Sequence, residues 1–176
     1  MMYTLIHFLH IIGSLGIAAA YAIEAASLTG LRRSTNGTDA RAWLAMRRWV
    51  LILGPASIAL VLVTGIYASA AHWGLSGWII AALGGVVGLA AIGGVLTGLP
   101  MARLKSGISG ATGPLTDALR REIRGQALLI SLTTRITLTI GIVSLMVWKP
   151  ALAVSLIVIA VTLVIGVATA GVIGAR

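Results

Sequence analysis

The 176-residue sequence contains no cysteine. Disulfides, thiolate metal sites, iron–sulfur clusters and cysteine nucleophiles are thereby excluded. Covalent c-type haem is excluded as well, because it needs a Cys-x-x-Cys-His motif. Charge is also scarce. Charged residues make up 10% of the chain, and only four are acidic, whereas a soluble domain carries about 25% charged residues. With 59% hydrophobic residues and a mean hydropathy of +1.05, the chain cannot build a water-facing surface, and lipid is the solvent it suits. Four carboxylates leave little for hydrolytic acid–base chemistry. The Gly-x-Ser-x-Gly, phosphate-loop and His-Glu-x-x-His patterns are missing too. Any enzymatic role would therefore be redox, with a cofactor performing the hard step.

What charge there is has one sign. The net charge is +9 and the sequence pI about 11.6. The basic residues fall between apolar runs and form no continuous patch. They speak for membrane topology and attraction to anionic lipid rather than for nucleic acid.

Long apolar runs dominate, and a spanning helix needs about 20 such residues. The first run covers about 3–31. No basic residue precedes it and it is too long for the apolar stretch of a signal peptide, so it reads as a retained helix. The interval 49–102 holds no Lys, Arg, Asp or Glu. As one helix it would be about 81 Å long, so it must fold back. Ala71-His72-Trp73-Gly74, with Gly77, is the expected turn. The second and third spans are then about 49–71 and 75–99, the third ending at Pro100. A polar segment, 103–124, follows, with a short interfacial helix expected from Thr116 and Asp117 to Arg124. The fourth and fifth spans are about 126–148 and 151–175, joined by a tight Lys149-Pro150 turn. The expected architecture is all-α: one polytopic domain, residues 1–176, with five transmembrane helices.

Arg32, Arg33, Arg41, Arg47 and Arg48 follow the first span, and Arg103, Lys105, Arg120, Arg121 and Arg124 follow the third. Arg176 falls on the same side and Lys149 on the other. The positive-inside rule then predicts a cytoplasmic carboxyl terminus and an external amino terminus. Trp43 and Trp49 mark one boundary, and Trp73, Trp78 and Trp148 the other. In the third span, Gly84 with Gly88 and Gly94 with Gly98 have the small-xxx-small spacing that predicts close helix packing.

Polar residues in a membrane are costly and usually face the bundle interior. His7, His10, Ser14, Ile17, Tyr21 and Glu24 follow steps of 3 and 4 and share one face of the first helix. Ser131, Arg135, Thr139, Ile142 and Met146 do the same on the fourth. Arg135 lies about 14 Å and Glu24 about 9 Å from the basic end of their helices. Two lone charges at similar depth are expected to pair, as a static tether or as part of a proton path or a clamp on a cofactor carboxylate.

The five-span layout also gathers His7, His10, His72 and Met146 toward the outer face, with Met1 and Met2 on the same side. Haem iron takes axial His, or His with Met. His7 and His10 are three apart on one helix and cannot flank one haem. His10, the deeper of the two, is the expected axial ligand, with His72 or Met146 opposite and Arg135 and Tyr21 either facing the propionates or supporting the ligands from behind. Imidazole and thioether also bind copper, so a small metal site of His7, His10 and Met146 with His72 at its mouth is a second reading. A third has no cofactor: His7 interfacial, His10 bonded to another helix, His72 a wet turn residue.

The opening stretch 3–16, YTLIHFLHIIGSLG, and the stretch 135–150 ending LMVWKP resemble small bacterial membrane proteins near the CopD-like and HemJ-like families. The likeness is strongest to relatives described only as integral membrane proteins. HemJ-like proteins are haem-binding protoporphyrinogen oxidases with a His near the start of the first helix, the position His10 matches. Their third-helix lysine has no counterpart, since 75–99 contains none. CopD-like proteins are linked to copper handling. The resemblance implies a bacterial inner-membrane protein that binds b-type haem and serves electron transfer or tetrapyrrole redox chemistry. The alternatives are a copper-handling protein and a cofactor-free accessory or scaffold subunit. A homo-oligomer or a larger membrane complex would fit, and nucleic acid is not an expected partner.

Overall fold

The computed structural model describes residues 2–111 and 113–175. Met1 and Arg176, both used above, lie outside the described residues. The rest is all-helical, and five helical stretches are long and apolar enough to cross a membrane: Met2–Arg33, Gly37–Trp73, Gly77–Ser109, Asp117–Trp148 and Leu152–Gly174. They run up and down. One end of the bundle holds the basic connections; the other holds the turn at 74–76, the Lys149 turn and all three histidines.

α1 (Met2–Arg33) is about 48 Å long, more than the roughly 30 Å hydrocarbon layer. α2 (Gly37–Ala68) begins far earlier than the expected 49. The cause is a cap. Asn36 Oδ1 accepts from Asp39 N at 2.9 Å, satisfying one of the amides that a helix start leaves free, and Asn36 Nδ2 donates to Asp39 Oδ2 at 2.8 Å, fixing the capping side chain. Arg41, Arg47 and Arg48 therefore ride on a helix rather than a loop. Gly37 is pressed against Ala111 O, where a Cβ would not fit, and its N–H bonds Gly113 O at 2.9 Å.

α2 continues through a π-helical turn, Ser69–Trp73. It ends at Gly74, whose φ of +62° suits glycine. The third span also differs from expectation. α3 (Gly77–Ile92) passes through π-helical turns at Gly93–Gly98 into α4 (Leu99–Ser109), so Pro100 does not stop it. The π turns shift the backbone register, and Pro100 falls in the first turn of α4. α5 (Asp117–Ile123) is capped by Thr116 Oγ1, which accepts from Leu119 N at 3.4 Å. α6 (Gln126–Trp148) and α7 (Leu152–Gly174) flank Lys149, which takes the left-handed conformation at φ 50°.

α6 is the hub. Its span is the most buried of the five, and it packs on α1, α3 and α7. Close helix approach does not follow the glycine pairs expected in the third span. Gly84 and Gly94 face open space, while Gly85 meets Ile142 and Gly93 meets Arg135. The tightest glycine contacts are elsewhere, at Gly30 against the Trp43 ring, Gly37 against Ala111 and Gly16 against Ser57. Helix rotation decides which glycines face a partner, and spacing alone does not carry it.

The core divides in two. Toward the basic end, α1, α2, α4, α5 and α6 share a cluster that includes the fully buried Leu31, Leu104, Ile108 and Ile123. Toward the histidine end, a smaller cluster joins α3 to α6 through Leu89, Leu138, Ile142 and Leu145. There the α1–α2 pair diverges from α3 and α6.

Candidate functional site: a histidine-lined cavity above a buried ion pair

The divergence leaves an apolar cavity of about 510 Å³ between α1, α2, α3 and the end of α6, within the roughly 300–1,000 Å³ usual for small-molecule sites. His7, His10, Thr64, Trp73, Met146 and Lys149 are among the side chains lining it.

His10 is held in place. Its Nδ1 is 2.9 Å from Thr64 Oγ1. The single hydroxyl proton of Thr64 goes to Leu60 O, at 2.6 Å. With the Thr64 proton so assigned, Thr64 accepts from His10 Nδ1–H, the tautomer whose Nε2 lone pair is free, and no hydrogen bond meets Nε2 among the described residues. The imidazole lies over Gly65, where a Cβ would come 3.3 Å from its Cε1. His7 Nδ1 bonds Tyr3 O at 3.2 Å. His72 does not line the cavity. The Tyr3 ring contacts both His7, at 4.0 Å between centroids, and His72, at 4.5 Å and edge-on. Among the described residues, no group of three His, Asp or Glu side chains is gathered for a metal ion. Of the two partners considered for His10, the cavity takes in Met146 and leaves out His72.

Arg135 and Tyr21 do not line the cavity either. They lie deeper, in a polar centre. Arg135 Nη2 is 2.6 Å from Glu24 Oε1 and 3.2 Å from Thr97 Oγ1, and its Nε donates to Ser131 O at 3.2 Å. Its guanidinium carbon sits 5.3 Å from the Tyr21 ring centroid, and the Tyr21 hydroxyl is 3.3 Å from Thr139 Oγ1. A lone charge in hydrocarbon is so costly that two within reach of one another pair.

The cation at the cavity is Lys149, whose Nζ lies 3.6 Å over the Trp73 ring, with Trp78 edge-on to Trp73 at 6.1 Å. Sequence reasoning used Lys149 and the tryptophans only as boundary markers. That Lys149 is the one Lys or Arg on its side of the bundle, among the described residues, was the available signal. Thr64 was missed as well, because one threonine in an apolar run usually bonds its own helix.

No protein family, curated protein or solved structure matches the chain.

Proposed function

We propose that this chain is a multi-pass protein of the bacterial inner membrane, with its amino terminus outside. On this reading it binds a b-type haem in the histidine-end cavity and serves electron transfer or tetrapyrrole redox chemistry. One observation carries it: Thr64 anchors His10 Nδ1 at 2.9 Å, and His10 lines an apolar cavity that also takes in a thioether from a facing helix. Second-shell bonding of this kind orients a metal-ligating histidine, and His with Met is an established axial pair for haem iron. The donor set fits the group. His10 and Met146 would hold the iron, Trp73 and Trp78 would supply apolar walls, and Lys149 would face a propionate. A bound haem would supply one-electron redox chemistry. The residues' own part is to orient the imidazole, exclude water and neutralise a carboxylate.

The direction of insertion rests on the positive-inside rule, since Arg103, Lys105 and Arg120 to Arg124 all belong to the end remote from the histidines.

The test is an optical spectrum of the full chain purified after expression with ample haem precursor. A Soret band is expected, and it should be lost in His10→Ala. No band in the wild type would sink the reading. Copper is the second reading, because His7, His10 and Met146 line one cavity and suit a soft metal ion. Stoichiometric copper by element analysis, without a Soret band, would select it.

A further inference from the structure

The polar centre contains a group that the redox reading leaves unused. Glu24 is only 6% exposed. Its Oε1 meets Arg135, but its Oε2 is buried with no hydrogen-bond partner. A carboxylate has about four acceptor sites, and a static tether would be built with both oxygens engaged. A buried polar atom left without a partner calls for a specific explanation.

The two members of the pair are not equally supported. Arg135 has a second set of partners in Thr97 Oγ1, Ser131 O and the face of Tyr21. Among the described residues, Glu24 has only Arg135. The second set leads into the third span. Thr97 belongs to the π-helical stretch Gly93–Gly98, and its hydroxyl is 2.7 Å from Ser131 Oγ. Ser131 Oγ in turn reaches Ile92 O at 3.3 Å, at the junction of α3 with that stretch. A Cβ at position 93 would lie 3.5 Å from Arg135 Cδ, whereas one at 94 would meet open space. The stretch is thus gripped by Arg135 on one side and free on the other. π-Helical turns often mark functional sites.

We propose that Glu24 is a proton-binding site, and that its protonation transfers Arg135 from a shared grip to the π-helical stretch of the third span alone. A hydronium ion gives its proton to Oε2. An O–H bond forms on the carboxyl, water is released, and Arg135 keeps its proton and charge. No electrons move. The groups facing Glu24 are Tyr21 on its own helix, Arg135 on α6, Arg47 on α2, which is in electrostatic reach of both members of the pair, and the uncharged Thr97. The site needs no cofactor and stands apart from the haem reading.

Infrared spectra of the full chain in lipid, recorded across a pH titration in H₂O and D₂O, would test it. A deuterium-sensitive carboxyl C=O band is expected. It should be lost in Glu24→Gln and kept in Glu122→Gln, which removes an exposed acid on α5. Amide exchange at 93–98, corrected for intrinsic rates, should change over the same pH range and become pH-independent in Glu24→Gln. Absence of the band in the wild type, its survival in Glu24→Gln, or unchanged exchange overturns the proposal. If Glu24→Gln does not fold, Glu24→Asp replaces it. The band must then shift, and an unmoved band is equally fatal.

Discussion

The two ends of the bundle are built on different terms. At the basic end, arginines clamp backbone carbonyls across elements. Arg32 Nη2 donates to Arg124 O at 2.7 Å, Arg41 Nη1 to Ala111 O at 3.1 Å and Arg120 Nη2 to Thr35 O at 3.2 Å, and fully buried leucines and isoleucines lie beneath them. At the histidine end, the hydrogen bond from His10 to Thr64 joins α1 to α2, and aromatic contacts and a cavity replace the clamps. The comparison separates a scaffold from a site. Residues that composition assigns to lipid headgroups serve here as internal ties, and rigidity at one end allows divergence at the other.

The strongest way to break the comparison is Arg135→Ala, which strands Glu24 as a buried, unpaired charge. Breaking a buried pair from one side costs roughly 3–5 kcal/mol. Thermal unfolding in detergent should show a collapse of the basic half. Stability equal to the wild type would mean that the polar centre supports nothing. A weaker test compares two leucines. Leu104 is fully buried at the basic end, and Leu104→Ala should cost about 2–5 kcal/mol. Leu83 is half-buried at the cavity wall, and Leu83→Ala should cost ~1 kcal/mol because its removal enlarges a space already present. Equal losses would erase the distinction between the ends.

Much of this division was legible in residues. Apolar run length locates five spans, and Gln126 to Trp148 as a helix follows from a polar segment before it and Lys149-Pro150 after it. The meeting of Glu24 and Arg135 follows from depth and the cost of lone charges. The early start of α2 was written in Asn36 and Asp39, three apart as in a helix cap, but arginines after them looked like a loop. The passage of the third span through Pro100 was not readable, since a π-helical register depends on what Thr97 and Gly93 find opposite them. Nor was the cavity. Pattern brings His7, His10, His72 and Met146 to one end, but whether an imidazole faces in or out depends on helix rotation, which spacing does not carry.

The finest test leaves the scaffold alone and touches only the site. Thr64→Val keeps the shape of the side chain and removes the acceptor for His10 Nδ1–H. Leu60 O and Val61 O, which Thr64 also contacts, lose only an accessory donor. Stability should change by no more than about 1 kcal/mol, because His10 is only partly buried and its ring can turn. On the haem reading proposed above, haem affinity, read by titrating the haem-free chain and following the Soret band, should fall by roughly 10–100-fold, the usual cost of removing an outer-shell partner from a metal-bound histidine. A Thr64→Ser variant, which restores the hydroxyl, should recover most of the loss. Unchanged affinity in Thr64→Val would mean that His10 is oriented by something other than α2. Lost stability with unchanged affinity would make Thr64 a packing residue and remove the difference in kind between the two ends.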